Sequence, residues 1–171
     1  MIVRPAALQD LPAIQSIYAY HVLHGLASFE EEAPPLEEMR RRFEDVTAQG
    51  LPYLVAEENG EVLGYGYCTL YRTRSAYRYA LEDSIYVRNG QQGKGIGKAL
   101  LAELILRCER LNYRQIIAVI GDSANAASIA VHASLGFVRA GNLRSTGYKL
   151  GRWVDSVLMQ LPLGKGDGTN P

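Results

Sequence analysis

Neither sign of charge is in excess in this chain, where eighteen Lys and Arg offset eighteen Asp and Glu for a formal net charge of zero at neutral pH. That excludes a global field able to hold nucleic acid or an anionic membrane surface, so any anion must be bound by a local device. Cysteine is scarce too. Cys68 and Cys108 have neither metal-ligand spacing nor the dense pattern of a disulfide framework, and both read as small core hydrophobes. His21 and His24 have no third ligand at a suitable spacing, so no metal is expected. Long apolar runs are absent, and Met1-Ile2-Val3-Arg4-Pro5 lacks the apolar region of a secretory signal. The expected address is cytoplasmic, with no membrane partner.

What is present suits one domain: 171 residues, 47% hydrophobic and 21% charged, enough to bury a core of its own. Ile2-Val3-Arg4 reads as a first strand. Asp10 stands where a cap would open a helix whose apolar residues Leu11, Ile14, Ile17, Tyr18 and Val22 recur at helical spacing up to Gly25. Pro34-Pro35 opens a second helix over 36–48, with Met39, Phe43 and Val46 on one face. Asn59-Gly60 between two apolar runs, 53–56 and 62–68, predicts a hairpin. A strand over 80–87, a helix to about 110, a strand over 115–120, a helix over 125–134 and strands over 137–143 and 154–161 follow. The fold class is α/β, a mixed, mostly antiparallel twisted sheet of about seven strands with helices on both faces, as one domain over 1–163 and a mobile tail over 164–171.

The most informative stretch is Gln92-Gly93-Lys94-Gly95-Ile96-Gly97, placed between the β-branched run Ser84-Ile85-Tyr86-Val87 and a helical pattern. A glycine turn that feeds a helix cradles phosphate, because backbone N–H groups can approach an oxyanion and the first helical turn has unpaired donors at the positive end of its dipole. The nucleotide motifs differ in where the glycines fall. A P-loop would need Gly at 92 and Ser or Thr at 99, where Gln92 and Ala99 stand. A dinucleotide fingerprint begun at Gly93 meets Lys98, and begun at Gly95 it meets Leu100. Both fail, whereas Q-x-x-G-x-G resembles the acyl-CoA pyrophosphate loop of the GCN5-related N-acetyltransferases (GNATs). Asn125-Ala-Ala-Ser-Ile-Ala-Val-His-Ala-Ser-Leu-Gly-Phe137 is similar to the second acyl-CoA segment of the same superfamily, in the right order and one helix and one strand further on. Taken singly, Asn125 also reads as an N-cap and Gly136 as a helix stop.

Four further segments narrow the resemblance to the phosphinothricin and methionine sulfoximine acetyltransferases: Ala27-Ser28-Phe29-Glu30, Tyr71 to Arg78, Val119-Ile120-Gly121-Asp122 and Gly147 to Trp153. Membership implies transfer of acetyl from acetyl-CoA, as co-substrate, to the α-amino group of a small amino acid, and a homodimer in which Gly151-Arg152-Trp153 is an interface element. It assigns acyl-CoA binding to Ile85, Tyr86 and Val87 on the strand, to Gln92, Gly93, Lys94, Gly95, Ile96, Gly97 and Lys98 in the loop, and to Asn125 and Ser128. The Val87 N–H would face the oxyanion.

The ammonium group of an acceptor must lose a proton before it attacks, and Glu82 is the candidate base, acting through water. Asp83 follows it where the family more often has His or Ser, and a second carboxylate would raise the pKa of Glu82. His132 stands where many GNATs place Tyr. An imidazole there suits either an acid for the departing thiolate or a base, and sequence leaves the direction open. Phe29, Arg72, Arg74 and Tyr77 are the candidate acceptor-binding residues, since arginine forks pair with carboxylates and phosphinates. A solvated arginine face is the competing reading. Acetylation of another small amine or of a protein N-terminus, and a non-catalytic acyl-CoA sensor, are the competing functions.

Overall fold

The computed structural model describes all 171 residues. Seven strands form one sheet: β1 (Ile2–Pro5), β2 (Tyr53–Glu58), β3 (Glu61–Leu70), β4 (Ala80–Val87), β5 (Gln115–Gly121), β6 (Val138–Lys149) and β7 (Arg152–Pro162), in the order β1-β2-β3-β4-β5-β7-β6. All neighbours are antiparallel except β4 and β5. Four helices, α1 (Leu11–His24), α2 (Leu36–Ala48), α3 (Ile96–Arg110) and α4 (Ala126–Ala133), complete the expected α/β domain. No helix is long and apolar enough to cross a membrane.

Side chains alternate between the faces of a strand, and in the centre of the sheet this decides which helix lies where. On one face Tyr53, Tyr65, Tyr67 and Tyr86 form stacked rings with centroids 4.9–6.3 Å apart, and Tyr18 of α1 and Phe43 of α2 pack on them edge-on. On the other face Cys68 of β3 meets Cys108 of α3, both fully buried and free, with 3.6 Å between the sulfurs. The cysteines are core residues, as their composition implies.

Two local expectations change. Strand β6 runs on to Lys149 and β7 begins at Arg152, because Leu150 and Gly151, at φ 50° and 76°, make a two-residue turn of the kind that continues a hairpin. The 147–153 segment is thus a hairpin tip. Asp10 occupies the N-cap position of α1 but caps nothing. Its carboxylate accepts instead from the Ala7 N–H at 2.7 Å and from both Arg4 guanidinium nitrogens, at 2.8 and 2.9 Å. Residues 164–171 form turns to which Arg114 donates hydrogen bonds, at the Gly166 and Asn170 carbonyls and the Thr169 hydroxyl.

The Arg4 hydrogen bonds hold the Asp10 carboxyl below its ordinary pKa, against the opposing effect of burial. A depressed carboxylate stabilises the fold above its unfolded pKa of about 3.9, and that contribution fades as pH falls through the folded value. Asp10→Ala leaves Arg4 and the Ala7 N–H short of a partner at a buried site and should cost about 2–3 kcal/mol at pH 7. Urea denaturation at several pH values checks this, with the gap between variant and wild type closing in acid.

Candidate active site

The chemistry-bearing segments meet where two strands part. Parallel pairing of β4 and β5 runs from Ala80↔Gln115 to Asp83↔Ala118 and stops, while β4 continues beside β3 to Val87 and β5 beside β7 to Gly121. A wedge-shaped gap opens beyond Asp83. The Arg88 N–H donates to the Leu63 carbonyl at 2.8 Å, so by the alternation of an antiparallel ladder Ile85 and Val87 turn their backbone groups away from β3 and into the gap. His21 Nε2 donates to the Val87 carbonyl at 2.7 Å, which fixes that end of β4 and leaves the Val87 N–H exposed to the gap. Asp83, Ser84, Ile85 and Tyr86 line one wall, Ala118 to Gly121 the other, and Asn125, Ser128 and His132 of the α4 segment close one side.

At the wide end of the gap the glycine loop turns into α3. Gly95, at φ 79°, is the residue before the helix, a left-handed conformation that a side chain would strain. No side chain caps α3 and no acidic residue stands in its first turn. The N–H groups of Ile96, Gly97 and Lys98 are therefore free for an anion, flanked by exposed Lys94 and Lys98. Gln92 does something else: its side-chain oxygen accepts the Gly90 N–H at 2.8 Å and so shapes the loop. Asn125 is the N-cap of α4, accepting the Ser128 N–H at 3.1 Å.

Two neighbouring carboxylates of β4 face opposite ways. Glu82 projects from the face that carries the tyrosines, half-buried and with no hydrogen bond or ion pair. Burial raises its pKa, Arg72 opposes the rise and Asp83 adds to it. The expected influence of Asp83 thus has the anticipated sign but is smaller than that of desolvation. Asp83 itself points to α4, where its Oδ2 lies 3.0 Å from His132 Nε2. His132 Nδ1 lies 2.8 Å from the Ser128 carbonyl, which can only accept. With Nδ1–H committed there, a proton between Nε2 and the carboxylate makes the ring a doubly donating imidazolium. Burial pulls the His132 pKa down, but the Asp83 hydrogen bond and charge, helped by the Ser128 carbonyl, leave it above the ordinary value. An imidazolium has no lone pair, so of the two directions left open for His132 this geometry favours the acid.

The candidate acceptor residues do not converge on one pocket. Tyr77 and Tyr71 border a cavity of about 260 Å³ floored by Ala80, Gln115, Ile117 and Gln160, on the Glu82 face. Arg72 stacks on Tyr71 at 4.2 Å and its charge acts on Glu82. Arg74 is exposed and its side chain makes no hydrogen bond or ion pair. Phe29 lies at the other end of the sheet face, its ring packed against Gly147 and Gly121. A Cβ on Gly147 would fall 2.5 Å from that ring.

Residues 3–158 match the family model of the acetyltransferase (GNAT) domain. The chain belongs to the GNAT acetyltransferase family. It is 56% identical over 169 residues to a phosphinothricin N-acetyltransferase of Alcaligenes faecalis, covering 99% of this chain and 86% of that protein. It is 39% identical to an L-methionine sulfoximine/L-methionine sulfone acetyltransferase of Salmonella typhimurium, with 95% of each chain covered. Among solved structures, a GNAT superfamily phosphinothricin acetyltransferase of Sinorhizobium meliloti in complex with AcCoA superposes with a TM-score of 0.96 at 49% identity, covering 99% of this chain and 92% of that one.

Three residues of this GNAT domain escaped the sequence reading. His21 was weighed only as a metal ligand, and its role at Val87 depends on how α1 crosses the sheet. Lys149 is buried and donates to the Ser28 carbonyl at 2.6 Å, which ties the Phe29 loop to β6. The 149–152 turn chemistry was the available signal. Asp83 was seen as a neighbour of Glu82 rather than as a partner of His132, although strand alternation already separates the two carboxylates.

Gly147→Ala should cost about 1–3 kcal/mol by overpacking. Because the clash is with the Phe29 ring, adding Phe29→Ala should recover part of that loss. A double-mutant cycle by thermal or urea unfolding measures the coupling, and strict additivity would refute the contact.

Proposed function

We propose that the chain transfers an acetyl group from acetyl-CoA to the α-amino group of a small amino acid of the phosphinothricin, methionine sulfoximine or methionine sulfone type, by direct transfer. One observation carries this reading: the β4–β5 gap runs from an anion-binding helix terminus to a strand carrying an unpartnered, half-buried Glu82 on one face and the Asp83–His132 pair on the other. The residues present fit the donor. The free N–H groups of Ile96, Gly97 and Lys98, with Lys94 and Lys98, suit a pyrophosphate, and the Ile85 and Val87 backbone groups offer an extended arm the hydrogen bonds that β5 would otherwise supply. The bound donor supplies an activated acetyl group.

The chain's own residues supply the rest. Glu82, raised above the ordinary carboxylate pKa by burial, takes a proton from the acceptor ammonium through water. Of the two N–H groups turned into the gap, that of Ile85 lies nearer His132 and therefore suits the developing negative charge on the acetyl oxygen better than that of Val87, which the resemblance suggested and which, beside the His21 contact, takes the donor's extended arm. His132 holds the proton that the departing sulfur needs. Arg72 and Tyr77 border the acceptor side, where a carboxylate balances the arginine. Phe29 and Arg74 stand further out.

A homodimer is part of the proposal, and the exposed apolar side chains of the β6–β7 tip, Tyr148, Leu150 and Trp153, support it. The balanced charge argues against a nucleic-acid or anionic-membrane partner, and a cytoplasmic enzyme that needs no metal is part of the proposal. Among the competing functions, an acyl-CoA sensor would need neither Glu82 nor a charged His132.

Thiol release followed with phosphinothricin, methionine sulfoximine, methionine sulfone, common amino acids and polyamines decides the matter. CoA should be released with the first three; release with none of the panel would defeat the reading. Glu82→Gln should lower kcat by about 10²–10⁴ with the KM for acetyl-CoA unchanged. In wild type kcat/KM should fall as pH drops through the raised Glu82 pKa, and that limb should vanish in the variant.

A further inference from the structure

Only one buried side-chain oxygen or nitrogen in the protein has no hydrogen-bond partner: Asp83 Oδ1. Its position is equally particular. Asp83 is the last β4 residue paired with β5, so it stands at the closed end of the gap and lines it. Strands rise about 3.3 Å per residue, so Asp83 lies roughly 13 Å behind Val87, on the side away from the glycine loop. A donor held by its pyrophosphate at the loop and threaded along β4 brings its sulfur to this end. The pair itself is almost dry, with side-chain exposures of 5% for His132 and 2% for Asp83.

We propose that Asp83 is a positioning residue for acyl transfer: through the contact of its Oδ2 with His132 Nε2 it keeps a buried ring charged and oriented, so that the ring's proton is available to the sulfur that leaves. This rests on the reading of the gap as the acyl-donor channel. As the acceptor nitrogen bonds to the acetyl carbon, the carbon–sulfur bond breaks and its electron pair goes to sulfur. The proton held between His132 Nε2 and Asp83 Oδ2 passes to that sulfur, giving the thiol, an Asp83 carboxylate and a neutral ring whose Nδ1–H stays on the Ser128 carbonyl. The proton from the acceptor ammonium leaves by way of Glu82, and solvent restores Nε2–H.

Burial alone disfavours the charged form of histidine. Asp83 is the only charged group acting on His132; the others packed on it, Ser128 of its own helix and the Phe137 ring at 5.0 Å, are neutral. Without the carboxylate, the ring would be a neutral imidazole whose one N–H is spent on Ser128 and whose lone pair faces residue 83. Such a ring has no proton to give. The unpartnered Oδ1 completes the arrangement, because the nascent thiol is a donor that can reach it.

The test needs no turnover. Nitrogen-15 NMR of the histidine rings across pH should show His132 in wild type protonated above the ordinary imidazole pKa of about 6.5, and in Asp83→Asn deprotonated below it. In the same variant kcat for CoA release should fall by at least about tenfold, as lost general acid assistance implies, with the KM for acetyl-CoA within about twofold of wild type. Asp83→Glu, which keeps the charge, should recover part of both the ring charge and kcat. A wild-type His132 ring that titrates at or below the ordinary imidazole value would overturn the proposal, even if no variant folds. So would an Asp83→Asn protein with unchanged ring charge, or one whose loss lies in KM alone. If wild-type His132 is charged as expected but no acceptor on the panel releases CoA, the proposed function fails while the pairing stands.

Discussion

The rest of the site depends on the early end of the β4–β5 ladder. A parallel pair is the least common neighbour in this sheet, and here it lasts only from Ala80↔Gln115 to Asp83↔Ala118. Continued pairing would have spent the Ile85 and Val87 backbone on β5 and left no channel. By stopping, the strand keeps a row of polar backbone groups that is paired on the β3 side and open on the other. Such groups are costly to leave unmet in a dry place and inexpensive at a cleft that water or a ligand can enter. The gap is thus a consequence of pairing, and the glycine loop at its mouth gives it an anion-binding end.

A chain of zero net charge can still bind a polyanion because its electrostatics are local. The α3 terminus offers free N–H groups with no acidic side chain in the first turn and lysines on either side. At the closed end an imidazole and a carboxylate are buried in contact, an arrangement that favours the charged form of the ring. Separating charges in a nearly dry environment is expensive, and removing one partner of such a pair costs more than the pair contributes. A pair of this kind is a weak source of stability but a strong constraint on ring orientation and protonation, which are the properties acid chemistry requires.

Most of the fold was legible in the sequence, for identifiable reasons. Helical periodicity placed α1 and α2, Asn59-Gly60 placed the β2–β3 hairpin, and the glycine loop placed the β4–α3 junction to within a residue or two. What the pattern missed were features decided by turn chemistry and tertiary contact. The β6–β7 hairpin runs through Leu150-Gly151, a turn in which Leu150 takes a positive φ that its residue type does not advertise. Asp10 looks like a cap because nothing local shows that Arg4 from β1 claims its carboxylate. Glu82, His132 and the glycine loop lie on β4, on α4 and at the β4–α3 junction, the elements that the sequence pattern predicts for them. Phe29 and Tyr77 belong to distant parts of the sheet face, a separation that no motif encodes.

The sharpest case is the dipeptide Glu82-Asp83. In sequence it reads as two carboxylates repelling each other, and proximity does contribute to the raised pKa of Glu82. In a strand, however, adjacent side chains occupy different environments. Glu82 enters a half-open surface with no partner, where desolvation raises its proton affinity; Asp83 enters a buried corner in contact with an imidazole. Two groups of the same chemistry, 3.8 Å apart along the backbone trace by covalent geometry, are thereby given opposite surroundings by the period of the strand alone. A solvent-facing carboxylate on one face and a buried carboxylate–imidazole contact on the other thus share a single rigid element, so their relative position is set by the β4 backbone.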